Sequence, residues 1–560
     1  MRLRFATVLT AVAITGATAL PGRGAENPEP LTAPFHRGVN LTGWLQAAGP
    51  RQIQFTRFTR QDFANIKSLG CDVIRLPINL HFMTDGPPDY TIDRLFFYFL
   101  DQIIDWAEEL ELHLILDNHT FDVTSDTEPN VGEVLIPVWT QMAQRYKDRS
   151  SYLYYEVLNE PHGIADATWA HIQQKVVSAI RAADPNHTIV VTGAGWGSYN
   201  NLKHLPVRAD CNLIYSFHFY DPFVFTHQGA SWVEPSMVPL AGVPFPHGVD
   251  PMPACPAELE GSWIESGLNA YHNDGTEARV RQLIDVAVEF STSRGVPVFC
   301  GEFGVYRRNS EDRHRVYWYD LVRRYLEEKG IPWTIWDYQG GFGLFEQDTN
   351  ELFEHDLNLP LVEALGLTAP EQTPFVPTAE RAGFDLYADY FAPRVFDSTW
   401  LSQGTLDYYC DSEPAEGNYC LSCTGLAQYN AIAFDFRPDK DLAWLARWHS
   451  ALEFWVRGDT PGARFEARFL DSKSSETDRP WRRGAAVDET MVLWDGQWHL
   501  VRIPLSDLTE RGAWDDGWYN PQGLFDWTAV DRFEIVAEYH DLVGINFWFD
   551  ALRLTDPTRR

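Results

Sequence analysis

Between residues 38 and 336 the chain repeats one pattern eight times: a short apolar run, then in most cases a longer stretch with helical spacing. The runs are Gly38 to Leu41, Asp72 to Pro77, His113 to Asp117, Leu153 to Leu158, Thr188 to Thr192, Leu213 to Phe219, Val296 to Cys300 and Trp333 to Trp336. Runs this short and this apolar predict strands covered on both faces, the habit of parallel sheets. Parallel neighbours need crossover connections, and stretches such as Leu95 to Leu110 and Trp169 to Ala183 have the amphipathic pattern of crossover helices. Eight such units in roughly 340 residues predict an α/β fold, a (β/α)8 barrel with long loops. An open doubly wound sheet is the competitor, but no Gly-x-Gly-x-x-Gly follows the first strand.

In such a barrel the carboxyl ends of the strands carry the chemistry. Two of them end in glutamates. Tyr154-Tyr155-Glu156-Val157-Leu158 runs into Asn159-Glu160-Pro161, and Val296 to Cys300 runs into Gly301-Glu302-Phe303-Gly304. A single glutamate at a strand end can serve only to cap it. Two of them, with aromatic and histidine companions, point to glycoside hydrolysis, which needs one carboxyl protonated and the other ionised. The loop after the sixth strand, residues 221 to 275, is long, rich in proline and glycine, and carries Trp232 and Trp263. Loops of that length inside a compact domain tend to be functional, so this one is expected to wall part of a cleft.

A formal net charge of -33 excludes a nucleic-acid partner, whose phosphates would be repelled, and leaves a neutral ligand open. Residues 1–25 have the make-up of a secretory signal: Arg2 and Arg4, an apolar run from Phe5 to Leu20, then rival cleavage sites at Ala17-Thr18-Ala19 and Arg23-Gly24-Ala25. The expectation is a secreted or periplasmic protein with no transmembrane segment, acting as a monomer. Seven cysteines leave at least one unpaired if every bridge is internal. Cys410, Cys420 and Cys423 cluster in what reads as a polar loop, making Cys410 with Cys420 or Cys423 the favoured bridge, while Cys71 and Cys300 read as buried thiols.

After Leu367 the texture changes. Residues 368–378 read as a proline-rich linker between a barrel at 30–367 and a second domain at 379–560. The second domain has short alternating segments, among them Ala431 to Arg437, Ala451 to Val456, Arg464 to Leu470, His499 to Ile503, Phe533 to Ala537 and Asn546 to Leu554. These predict an all-β sandwich of jelly-roll type. It holds eleven of the chain's 21 tryptophans, which suit stacking on pyranose rings, although a sandwich also buries tryptophan routinely and most of these are expected in its core.

Taken together, the strand-end motifs resemble those of glycoside hydrolase family 5, the cellulase-type retaining glycosidases. The resemblance runs from Arg37 to Leu367 and rests on Arg37-Gly38-Val39-Asn40-Leu41-Thr42-Gly43-Trp44, Val73-Ile74-Arg75-Leu76-Pro77, Leu116-Asp117-Asn118-His119, Asn159-Glu160-Pro161, His218-Phe219-Tyr220, Gly301-Glu302-Phe303-Gly304 and Trp333-Thr334-Ile335-Trp336. It implies Glu160 as general acid/base and Glu302 as nucleophile. It further implies Arg75 and Tyr220 as partners of the nucleophile and His218 as the histidine beside the acid/base. Asn159 would grip the sugar 2-hydroxyl, His119 would bind sugar, and Trp336 would form the platform beneath it. Trp44 and Trp196 are further stacking candidates. Asn118-His119-Thr120 lacks the paired histidines of some relatives. The implied substrate is a β-linked polysaccharide or oligosaccharide, an endo-β-1,4-glucanase activity being favoured over action on mannan, xyloglucan, β-1,3-glucan or a glycolipid. Catalysis of this kind needs no cofactor. A non-catalytic polysaccharide-binding protein is the alternative of another class, against which the retained pair of glutamates weighs. The second domain loosely resembles jelly-roll carbohydrate-binding modules through Trp498 to Leu505 and Phe547 to Leu554, and such modules often hold a structural calcium.

Overall fold

The structure is a computed structural model and describes residues 32–120 and 124–555. The expected export signal lies outside the described residues. Eight parallel strands close into a barrel: β1 (Arg37–Asn40), β2 (Val73–Ile78), β3 (His113–Asn118), β4 (Leu153–Glu156), β5 (Thr188–Thr192), β6 (Leu213–Phe219), β7 (Val298–Phe303) and β8 (Trp333–Ile335). Closure comes from β1 pairing with both β2 and β8. Strand positions follow the apolar runs to within a few residues, because a strand buried on both faces must be apolar wherever it is not functional.

The barrel interior is layered. At its amino-terminal end Phe35, Val73, Ile115, Tyr154, Val190, Ile214 and Phe299 pack into an apolar plug. One pleat further along, two residues on, the inward positions become polar: Arg75, Asp117, Glu156 and Ser216, all fully buried. Charged groups this deep are tolerated only when they pair, so the second layer marks the floor of a site. Helices such as Arg94–Glu109, Asp166–Ala183 and Asp312–Glu328 turn their apolar faces onto the outside of the strands.

The second domain is all-β. Its strands are β9 (Phe384–Tyr387), β10 (Val395–Asp397), β11 (Thr405–Cys410), β12 (Cys420–Leu426), β13 (Ala431–Lys440), β14 (Ala451–Arg457), β15 (Phe465–Asp471), β16 (Trp481–Val487), β17 (His499–Pro504), β18 (Thr509–Trp514), β19 (Trp518–Tyr519), β20 (Val530–Val536) and β21 (Leu542–Leu554). Two antiparallel sheets result, one in the order β10-β13-β20-β15-β16-β18-β19 and one in the order β11-β12-β21-β14-β17 with β9 beside β21. Phe434, Phe465, Phe469, Phe533 and Phe549 fill the core.

Three expectations need correction. The cysteine cluster is not a loop: Cys410 and Cys420 are directly opposed residues of β11 and β12, Cys423 lies further along β12, and all three are free thiols. The polar run 411–419 between the strands disguised them as one loop. Among the eleven tryptophans of the second domain only Trp481 and Trp494 are buried, while Trp400, Trp448, Trp514 and Trp518 are exposed. The core is built of phenylalanine, which carries no N–H to satisfy. Finally, the segment after Leu367 is not free chain. Thr368 N donates to the Leu69 carbonyl, Thr373 N to the Glu354 carbonyl, and Gln372 Oε1 accepts from Leu357 N, so it is laid along the barrel.

Candidate active site

Arg75, on β2, is the hub. Its Nη1 donates to Glu302 Oε1 at 2.7 Å and to Asn40 Oδ1 at 3.0 Å. Its Nε and Nη2 form a fork onto Glu156 at 2.8 and 3.0 Å, and Nη2 also donates to Asn159 Oδ1 at 2.7 Å. Asp117 Oδ2 lies 3.0 Å from the same nitrogen. The planar guanidinium thus ties together groups from β1, β2, β3, β4 and β7 in one bidentate-capable layer, which lysine's single ammonium cannot do.

Glu302, on β7, is held from its other side by the Tyr220 hydroxyl, which donates to Oε2 at 2.8 Å. Gly301 precedes it because a Cβ there would sit 2.7 Å from Ser216 Oγ and 3.3 Å from the His218 ring. Glu160, just past the end of β4, makes one strong contact: its Oε1 lies 2.6 Å from His218 Nδ1. One oxygen of Glu160, one ring nitrogen of His218 and one oxygen of Glu302 all fall within 4.8 Å of one another. Such a spacing of carboxyl groups belongs to retaining chemistry, since an inverting pair stands about 6.5–9.5 Å apart to admit a water.

Electrostatics separates the two glutamates. Burial pushes the Glu160 carboxyl up to about 8, against the lowering influence of Arg75. Burial raises Glu302 as well, opposed by His218 and Arg75. Burial pushes the site's histidines down, His218 to about 4 and His119 to about 3, so both are neutral at neutral pH. Glu302 receives two donors, one cationic, whereas Glu160 faces a neutral ring, so the pair's proton rests on Glu160.

Around the pair, Trp336 stacks on His119 with centroids 5.3 Å apart and planes 15° from parallel. His119 Nδ1 lies 2.6 Å from Asp117 Oδ2. Trp196, 44% exposed, stacks on His162 at 3.6 Å, and its amide donates to the Pro161 carbonyl. The loop after β6 supplies His227, whose ring meets Tyr220 at 5.1 Å, and the half-exposed Trp232 beyond it. His81 Nε2 comes within 3.2 Å of Asn118 Nδ2, so a histidine from another part of the chain meets the residue that precedes His119.

The structure therefore brings Glu160, Glu302, Arg75, His119, Asn159, His218, Tyr220 and Trp336 together, with Trp196 at the rim. Trp44 is not among them. It is 2% exposed and packed with Phe55, Phe58, Phe63 and Trp106, and its N–H is spent on the Phe55 carbonyl. Three members escaped the sequence reading: Asn40, Asp117 and Glu156. Their signal is a polar residue inside an otherwise apolar strand, which a buried position permits only when a partner is supplied.

Among the described residues, the only three His, Cys, Asp or Glu side chains that converge are Glu160, His218 and Glu302. Asp550 turns its carboxylate onto the Glu416 and Ala551 amides, which are donors.

A closed eight-stranded barrel with two carboxyl groups this close at its carboxyl face defines the class: a retaining glycosidase, which forms and then hydrolyses a glycosyl-enzyme. Residues 35–341, more than half of the 560, match the family model Cellulase (glycosyl hydrolase family 5), and the chain belongs to that family. Residues 432–556 match Carbohydrate binding domain 30. Endoglucanase 3 of Fibrobacter succinogenes is 29% identical over 340 residues, 56% of this chain and 50% of that protein. Endoglucanase C of Acetivibrio thermocellus is 27% identical over 348 residues, 58% of this chain and 97% of that one. The chain thus spans half the length of the first relative and nearly all of the second. A solved endoglucanase structure superposes with a TM-score of 0.50 at 29% identity, covering 59% of this chain and 96% of that one. A hyperthermophilic endo-beta-1,4-glucanase in complex with substrate does so with a TM-score of 0.50 at 28% identity, over the same shares of the two chains. Glycosidases of family 5 need no cofactor. No helix among the described residues is long and apolar enough to cross a membrane.

Proposed function

We propose that the chain is an exported endo-β-1,4-glucanase in which Glu160 is the general acid/base and Glu302 the nucleophile. The observation that carries this reading is the asymmetric pair: Glu302 clamped by Arg75 and Tyr220, Glu160 hydrogen-bonded to His218, with oxygens of the two inside 4.8 Å. In the first step Glu160 gives its proton to the glycosidic oxygen as the C1–O bond breaks, and a Glu302 oxygen bonds to C1. In the second step Glu160 takes a proton from water, the water oxygen bonds to C1, and Glu302 leaves as carboxylate with Glu160 protonated again. Asn159 Nδ2, buried with no hydrogen-bond partner among the described residues, is the donor for the sugar 2-hydroxyl. Trp336 and Trp196 are its stacking surfaces on either side of the cleaved bond. Residues 379–560 form the polysaccharide-binding unit, joined to the barrel unit at 30–367 through 368–378. The β-1,4-glucan assignment is supported by the relatives' names. The experiment is a panel of purified β-1,4-glucan, mannan, xyloglucan and β-1,3-glucan with product sizes followed over time. Mid-chain cuts in β-1,4-glucan with retained anomeric configuration are expected. Cleavage confined to another member of the panel would overturn the substrate, and inverted product would overturn the roles of the pair.

A further inference from the structure

The second domain grips the two loops that lead into the sugar cleft. From the loop after β1, Gln54 Nε2 donates to the Val395 carbonyl at 2.7 Å, Gln54 Oε1 accepts from the Asp397 amide at 3.0 Å, and the Ile53 carbonyl accepts from the Tyr409 hydroxyl at 2.6 Å. From the loop after β8, the Asn350 carbonyl accepts from Arg394 Nη2 at 2.6 Å. Arg394 spends its Nε on the Arg437 carbonyl at 2.7 Å. It sits at φ 65°, in the left-handed region, where a residue with a side chain stays only if its surroundings hold it. Arg57 from the barrel and Arg394 and Arg437 from the sandwich all pack on the Phe396 ring, at 5.9, 5.8 and 5.1 Å. Three cations on one ring repel one another, and the nearby charge of Glu351 opposes the lowering that burial imposes on Arg57 and Arg394.

Both loops converge on the segment from Asp337 to Gly340, just after Trp336. Glu351 Oε1 accepts from the Gly340 amide at 3.3 Å, and the Glu351 carbonyl accepts from Gln339 Nε2 at 3.5 Å. Thr42, at the head of the first loop, donates to Asp337 Oδ2 at 2.7 Å. A short series of contacts therefore runs from the sandwich's Arg394 through Asn350, Glu351 and Gly340 to Asp337 and Trp336.

We propose that Arg394 is a positioning residue for glycan binding: through the loop after β8, the sandwich fixes the Trp336–Gly340 segment in the shape that receives the sugar. The proposal rests on the assignment of Trp336 to sugar binding and extends it to a domain that does not carry the catalytic pair.

The test uses the full chain with Arg394→Ala and with Arg394→Lys, whose ammonium can reach the Asn350 carbonyl but cannot also serve Arg437. Kinetic constants are measured on a short soluble β-1,4-gluco-oligosaccharide, so that polysaccharide binding by the sandwich does not enter. Loss of the equivalent of one hydrogen bond raises KM about 3- to 10-fold in Arg394→Ala. Its kcat stays within about twofold and both limbs of its pH profile stay in place, because neither glutamate is touched. Arg394→Lys recovers part of the KM. A wild-type KM in a variant that unfolds cooperatively, or a fall in kcat alone, overturns the proposal. If Arg394→Ala does not fold, Arg394→Lys carries the comparison. A wild-type chain inactive on gluco-oligosaccharides refutes the substrate assignment instead, and the KM comparison is then made on whichever β-glycan it cleaves.

Discussion

Replacing Arg75 with lysine keeps a positive charge on the barrel floor but removes the fork. Arginine makes five hydrogen bonds there, to Glu302, Asn40, Asn159 and twice to Glu156. An ammonium has three donors and one origin, so at least two of these bonds are lost. Glu156 takes the bond from Nε, the donor nearest the chain, and a lysine that settles on that carboxylate leaves Glu302 with the Tyr220 hydroxyl and the His218 ring 3.5 Å away. A hydrogen bond to a charged group contributes about 1.5–3 kcal/mol, and at about 1.36 kcal/mol per pKa unit its loss raises the Glu302 carboxyl by about one to two units. Glu302 must be ionised to attack. A raised carboxyl stays protonated to higher pH, so the acid limb of kcat/KM moves up by that amount while the alkaline limb, set by Glu160, stays. The assay is kcat/KM against pH on a soluble aryl β-cellobioside, with thermal unfolding in parallel. On the acid side of the wild-type limb the variant is expected to be about 10- to 100-fold slower than wild type. An acid limb that does not move in a variant whose melting temperature has fallen would refute the reasoning and reduce Arg75 to a structural ion-pair residue.

The remaining expectations concern single groups. Glu302→Ala abolishes turnover, and added azide does not restore product of the original anomeric form; Glu160→Ala spares the first step on substrates with good leaving groups, and equal losses on activated and natural substrates in both variants would contradict the division of roles. The wild-type alkaline limb should fall at about pH 8, where Glu160 gives up its proton; a plateau reaching well above that value would show that another group supplies it. Trp44→Ala removes a buried ring from the cluster with Phe55 and Trp106 and should destabilise by about 3–5 kcal/mol without raising KM on a soluble oligosaccharide, as calorimetry and steady-state kinetics will report. Truncation after Leu367 removes Tyr390 and Tyr409 and uncovers Phe55 and Phe99, the barrel rings they meet, and should lower solubility and melting temperature; a soluble truncated barrel of wild-type stability would refute this.

What the sequence made legible follows from what burial demands. A strand hidden on both faces has no freedom to be polar, so all eight barrel strands stand out as apolar runs, Thr188–Thr192 and Leu213–Phe219 at their full extent. The carboxylates past the strand ends were legible because they break those runs abruptly. Glu156 and Asp117 were harder. Each sits inside its run, in register opposite the other, and only their shared partner Arg75, 81 residues from Glu156, gives them meaning. Trp44 failed for the opposite reason: adjacency to a motif suggested the cleft, but the chain turns at Gly43 (φ 65°) and carries the indole down between Phe55 and Trp106. In the sandwich, β11 and β12 were hidden because the polar run 411–419 between them and the polar Asp407, Ser422 and Thr424 within them break up the apolar signal of Leu406, Tyr408, Leu421 and Cys423.

The docking of the two domains had no sequence signature at all, and it changes how a binding domain can help. Side chains of Gln52, Gln54 and Thr56 bond to carbonyls of Leu406, Val395 and Phe391, more than 330 positions away, and backbone acceptors impose no residue type that a reader could notice. A proline-rich segment suggests a tether, and a tether raises the effective concentration of catalyst over every polymer within reach. A docked domain obeys a stricter rule: bivalent gain exists only when one polymer can occupy both sites in the fixed geometry, and vanishes otherwise. The exposed Trp400, Trp448, Trp514 and Trp518 therefore need not all serve the same chain that enters the cleft. Those that do can be separated from those that do not by comparing each tryptophan's effect on retention by insoluble glucan with its effect on hydrolysis of the same material. A tryptophan aligned with the cleft moves both together, whereas one on a divergent face weakens retention and leaves hydrolysis of the bound polymer as it was.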